Sequence, residues 1–202
     1  MEHILFIGNS HTYYNDMPDI FRRLCRHNGR EVFTVMLAHG GVGLDFHAHE
    51  PEAAHNIRYG KFDCVVLQHK ANPYERDTMF CEGMRLAGFI KGSGAKGVVY
   101  MPWPRLEARD TQEIALEGNS EFARQNGFAL APAGMAWWKF MDEHPEVEMF
   151  RPDHEHATKK GSFLAACVIY CAVYGERPKT DGEELHELMA QAAFEAYEKY
   201  KV

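Results

Sequence analysis

Five short apolar runs, at residues 4–7, 32–37, 64–67, 97–101 and 128–130, recur along the chain with helix-period stretches between them. The intervening helices are expected at about 17–28, 45–58, 77–91 and 111–126, followed by three more at about 134–143, 162–174 and 182–200. A strand-helix order repeated in this way leaves parallel pairing as the economical arrangement, because each helix carries the chain back to start the next strand in the same direction. The first and third runs, ILFI and CVVL, have no polar alternation. Strands of that kind are covered on both faces, so the fold class is α/β: a three-layer α/β/α sandwich around a mostly parallel, five-stranded sheet. With 202 residues and no linker, repeat or low-complexity stretch, residues 1–202 read as a single domain.

In open sheets of this type ligands bind beyond the carboxyl ends of the strands. Attention therefore falls on residues 8–12, 39–43, 68–72 and 102–105. Ser10 follows Gly8 and Asn9 at the end of the first run, and the next helix is expected only from about Met17, beside Pro18, which leaves the hydroxyl at the mouth of the sheet. A serine in such a place is ordinarily a turn residue or a cap, and a second Gly-Asn-Ser at 118–120, inside a helical pattern, is read as structural. What sets Ser10 apart is the far end of the chain, where Asp153-His154-Glu155-His156 follows Arg151-Pro152 just before a helix. An aspartate three residues before a histidine can share its turn, steady one imidazole nitrogen and leave the other to take a serine's proton.

Together these segments resemble the SGNH, or GDSL-like, hydrolase superfamily. The run Ile4 to Thr12 resembles its first block, Gly40-Gly41-Val42-Gly43 its second, and Asp153 with His156 its last, and the order along the chain agrees. The likeness is nearest to a bacterial branch with a GNS-x-T start, a Val-Val-Leu-Gln strand end and a segment like Gly161 to Cys167, and it spans about residues 4 to 175. The resemblance implies a flavodoxin-like sandwich and a serine esterase with Ser10 as nucleophile, His156 as base and Asp153 as its partner. It also implies an acyl-enzyme, with the backbone N–H groups of Ser10 and Gly41 in the oxyanion hole and no cofactor. One block departs: where the superfamily has Gly-x-Asn-Asp, this chain has Gln68-His69-Lys70-Ala71-Asn72. Either Gln68 or Asn72 carries the amide NH₂ that a third oxyanion donor requires. A neutral histidine base implies activity that falls as the pH drops through about 6 to 7.

Substrate and setting are less constrained. Small esters and acetylated carbohydrates are what the resemblance suggests, with Trp103, just after the fourth strand, as a surface for a sugar ring. A net charge of −7 argues against nucleic acid or anionic lipid as partner. No apolar run reaches the length of a membrane span. Five cysteines, an odd number without metal-site spacing, fit reduced thiols in a cytoplasm, although a chain trimmed of a signal peptide would read the same way. The acidic C-terminal helix reads as a cover on the sheet, with a homodimer contact as the alternative. Two rival functions stand beside the esterase. One is a catalytically silent carbohydrate-binding or interaction protein on the same fold. The other is a metal-dependent hydrolase built from His39, His47, His49 and His55 with Asp45 and Glu50, or from Asp153, His154 and His156; His47 and His49 could share an ion on a loop but diverge on a helix, the triad is the better use of His156, and metal ligands are not expected.

Overall fold

The computed structural model describes residues 1–202 and contains five strands and nine α-helices. In chain order these are β1 (Glu2–Gly8), α1 (Ser10–Tyr13), α2 (Met17–His27), β2 (Val32–Ala38), α3 (Leu44–His49), α4 (Pro51–Tyr59) and β3 (Cys64–Leu67). There follow α5 (Arg76–Ser93), β4 (Lys96–Tyr100), α6 (Gln112–Asn126), β5 (Ala129–Ala131), α7 (Ala133–Glu143), α8 (Lys159–Tyr174) and α9 (Glu184–Tyr200). The strands form one sheet in the order β2-β1-β3-β4-β5, every pair parallel.

Alternate residues of each strand point to opposite faces, and the two halves of the core follow that period. Ile4, Phe6, Cys64, Val66, Val98 and Tyr100 join a core with residues of α2, α7, α8 and α9. Leu5, Ile7, Val65, Leu67 and Val99 join a second one with residues of α3 to α6. These are the three layers expected from the unbroken apolar runs. Helix α8 is enclosed almost throughout, with Leu164 to Ala172 all buried. It starts at Thr158, whose side chain caps Gly161 N at 3.4 Å. A side chain at Gly161 would run into the Trp137 ring at 2.5 Å, so the glycine lets the helix start close against α7.

Two expected elements come out differently. The helix expected over 45–58 is two helices, because Pro51 drives Glu50 out of the helical region, to φ −82° and ψ 121°. The chain between Ser10 and Met17 is not an open loop but a helical turn, α1, followed by a 3-10 turn over Tyr14–Asp16. Asn15 and Asp16 take left-handed conformations there, at φ 57° and 54°. Asn15 Nδ2 donates to Ala157 O at 2.9 Å and to Ser162 Oγ at 2.8 Å, which ties this turn to the start of α8. The second Gly-Asn-Ser lies within α6, where Gly118 and Asn119 are buried. None of the helices is long and apolar enough to cross a membrane.

Candidate active site

The sheet reverses its winding between β1 and β3, the place where an open α/β sheet leaves a crevice at its carboxyl edge. Ser10 leaves β1 there as the first residue of α1. Asn9 caps the turn, its Oδ1 accepting from His11 N at 3.0 Å. As a first-turn donor, Ser10 N–H has no acceptor within the helix and is available to a ligand. The turn is held from two sides. Gln68, at the end of β3 and fully buried, presents Oε1 to Asn9 N at 2.8 Å and to Thr12 Oγ1 at 3.0 Å. Asn9 Nδ2 reaches across to Val42 O at 2.8 Å, and His47 Nε2 donates to Gly8 O at 2.8 Å, so the glycine loop after β2 is fastened beside Ser10. Gly41 sits exposed in that loop at φ +72°, a conformation glycine adopts without the penalty a Cβ brings.

Asp153 and His156 come together in one turn. His156 Nδ1 lies 2.9 Å from Asp153 Oδ2, and Asp153 Oδ1 accepts from the backbone of Glu155 at 3.0 Å and His156 at 2.9 Å. Burial opposes the ionisation of Asp153, but these donors outweigh it and hold its carboxyl at about 2. The carboxylate fixes the His156 tautomer with the proton on Nδ1, and Nε2 has no partner in the protein. The imidazole stacks on Tyr14, centroids 4.1 Å apart and planes inclined by 22°, and stands 6.1 Å from the His11 ring. Tyr14 is four residues beyond Ser10 and donates its backbone N–H to Ser10 O, so the imidazole leans on the turn that carries the serine. No hydrogen bond is closed between Ser10 Oγ and His156, whose ring is bonded through Nδ1 to Asp153 alone.

Gln68 and Asn72 are both occupied in fastening loops. Gln68 Nε2 donates to His69 O at 2.6 Å. Asn72 Oδ1 accepts from Arg105 N at 2.9 Å while its Nδ2 reaches Glu155 Oε1 at 3.2 Å. Each amide keeps one further N–H. Trp103 is a correction to the sequence reading: it has no accessible surface and offers no platform to a sugar. Its ring stacks on Trp137 at 3.6 Å, its edge meets His11 at 5.1 Å, and its Nε1 donates to Glu155 O at 3.0 Å. It is a buttress behind the site, because residues 101–104 turn inward under the Asp153–His156 loop. The histidines of the metal reading are dispersed: His47 is spent on Gly8 O, His49 pairs with Glu82 at 3.1 Å, and His154 with Glu107 at 2.8 Å.

Sequence reasoning passed over Asn9, His11, Tyr14 and Arg151. Asn9 carried a signal, being a capping residue type directly before a turn; the stack of Tyr14 on a residue far along the chain carried none. His11 is the more consequential omission. Its ring is buried with Nε2 unpartnered. Burial, then the neighbouring His156, push its pKa down to about 3. Burial likewise lowers His69 to about 4, and it lowers His47. Histidines held neutral by folding stabilise the native state fully above the unfolded value of about 6.5, and that contribution drains away as the pH falls toward the folded values, because the unfolded chain binds more protons. Between about pH 6.5 and pH 5 the loss should approach 1.4 kcal/mol per pH unit for each of His11 and His69. Urea midpoints at about pH 7.5 and pH 5 are expected to differ clearly, and less so in His11→Gln; equal midpoints would contradict the buried neutral state.

No family model matches the chain, and no curated protein matches it. Solved structures do. A DUF4886 family protein from Bacteroides uniformis shares 17% identity, with 96% of this chain and 94% of that one aligned at a TM-score of 0.77. A proposed SGNH hydrolase from Slackia heliotrinireducens shares 24% identity over 85% of this chain and 98% of its own, at a TM-score of 0.66. The psychrotrophic esterase EstA from Pseudoalteromonas sp. shares 12% over 87% and 98%, at 0.65. At such identities the likeness establishes the fold: an α/β sandwich of the kind found in SGNH and GDSL hydrolases.

Proposed function

We propose that this protein is a serine esterase acting on small acyl esters through Ser10, His156 and Asp153. The observation that carries the reading is the Asp153-bound imidazole, its Nε2 unpartnered, leaning on the turn of Ser10 at the carboxyl edge of β1. In the proposed reaction His156 Nε2 takes the proton of Ser10 as Oγ attacks the ester carbonyl, and Asp153 balances the imidazolium that forms. The oxyanion is received by the N–H groups of Ser10 and Gly41, with the remaining amide N–H of Gln68 or Asn72 as third donor. His156 then returns the proton to the departing alcohol. Water, activated by the same imidazole, releases the acid from the acyl-enzyme and restores Ser10.

None of these steps calls for a metal or cofactor. Small acyl groups are the proposed substrates, bound beside the half-buried Tyr13 and Tyr14 that follow Ser10 and stack on each other. An acetylated carbohydrate remains within the class, but it would rest on those tyrosines and not on Trp103. The test is hydrolysis of 4-nitrophenyl acetate, butyrate and octanoate. Turnover greatest for the shorter chains supports the reading, and a folded protein that turns over none of them would overturn it.

A further inference from the structure

The cations on the rim of the site are not equivalent. Arg105 is matched by Glu155 at 2.6 Å and Lys70 by Glu75 at 2.9 Å, so neither offers much net charge to a ligand. Arg151 forms no ion pair. Its position is nonetheless fixed: the backbone N–H donates to His156 O at 2.8 Å, next to the bridge between Phe150 and Ala157, and the guanidinium lies over the Tyr14 ring at 5.3 Å. That ring is the one on which His156 stacks. An exposed guanidinium without an ion-pair partner and the imidazole of His156 thus both contact one aromatic ring, Tyr14. In a chain of net charge −7, an arginine with no carboxylate at ion-pair distance keeps its charge open to an anionic ligand.

The place of the base fixes which part of an ester Arg151 would read. His156 must hand its proton to the leaving alcohol, so the alcohol lies on the His156 side of the scissile bond. We infer that Arg151 is a specificity-determining residue that selects esters whose alcohol part carries an anionic group, a carboxylate or a phosphate, which the guanidinium holds by charge-assisted hydrogen bonds. This inference rests on the esterase reading above.

Two acetyl esters that differ in the charge of the alcohol part make the test: 4-acetoxybenzoate, with a carboxylate, and 4-acetoxybenzamide, which is neutral. The quantity measured is the ratio of their kcat/KM values in the wild type, in Arg151→Gln and in Arg151→Lys. Comparing ratios removes the intrinsic difference between the two phenols. The expected result is a ratio about tenfold lower in Arg151→Gln, caused by loss on the anionic ester alone, with partial recovery in Arg151→Lys and a weaker wild-type preference in high salt. An unchanged ratio would overturn the inference. So would equal losses on both esters, which would show that Arg151 only covers Tyr14. Failure to hydrolyse the anionic ester by a protein that turns over 4-nitrophenyl acetate would also overturn the inference, whereas failure on all of these esters would instead refute the esterase reading.

Discussion

Ser10→Ala is expected to lower kcat/KM toward a short acyl ester by about 10⁴- to 10⁶-fold while leaving stability almost unchanged. The large loss follows from the proposed role of Oγ as the attacking atom. The small structural effect follows from its surroundings, since no protein group is bonded to that hydroxyl and the cap of the turn is Asn9 rather than Ser10. His156→Ala should lose activity to a similar extent, and the double variant should be little worse than either, because nucleophile and base act as one unit. The His156 variant also gives up the stack on Tyr14 and one of the three donors to Asp153, so a modest loss of stability should accompany it. Steady-state kinetics alongside urea denaturation separates the two effects. Nearly full activity in folded Ser10→Ala would remove the nucleophile from the account.

The second large effect is expected at the residue that anchors the turn of Ser10 to β3. Gln68→Leu keeps the side-chain volume but removes the oxygen that receives Asn9 N and Thr12 Oγ1, and the donor to His69 O. Leaving buried polar groups without partners costs about 1 to 3 kcal/mol each. Some relaxation is available to the Thr12 hydroxyl, so a total loss of about 2 to 4 kcal/mol is expected, a large share of the 5 to 15 kcal/mol typical of a domain. Activity should fall about 10²-fold as well, because the turn that aims Ser10 loses its anchor on β3 and misplacement on the order of 1 Å carries that penalty. A Gln68→Leu protein with an unchanged urea midpoint and unchanged kcat/KM would show that the turn is held by its own cap alone.

The parts of this molecule legible in the sequence are those written locally. The runs ILFI and CVVL announce strands covered on both faces, and the sheet places both in its interior, β3 at the centre with β1 beside it. The Asp-x-x-His spacing brings a carboxylate and an imidazole into one turn without help from the rest of the chain. What was not legible depends on partners distant in sequence. Which way the Gln68 amide faces is decided by Asn9 and Thr12, 59 and 56 residues away. Trp103 reads as a surface aromatic until Trp137 stacks on it and closes it off. Tyr14 and Arg151 acquire meaning only when the turn after β1 meets the loop before α8.

The proposed chemistry reduces to one question, whether Ser10 is an activated nucleophile. A small fluorophosphonate, which captures serines of that kind, followed by intact-mass measurement and peptide mapping at about pH 8, asks it directly. The account predicts one label per chain, on Ser10, absent from both Ser10→Ala and His156→Ala. A folded protein that stays unlabelled, or that carries the label on another residue, would contradict it.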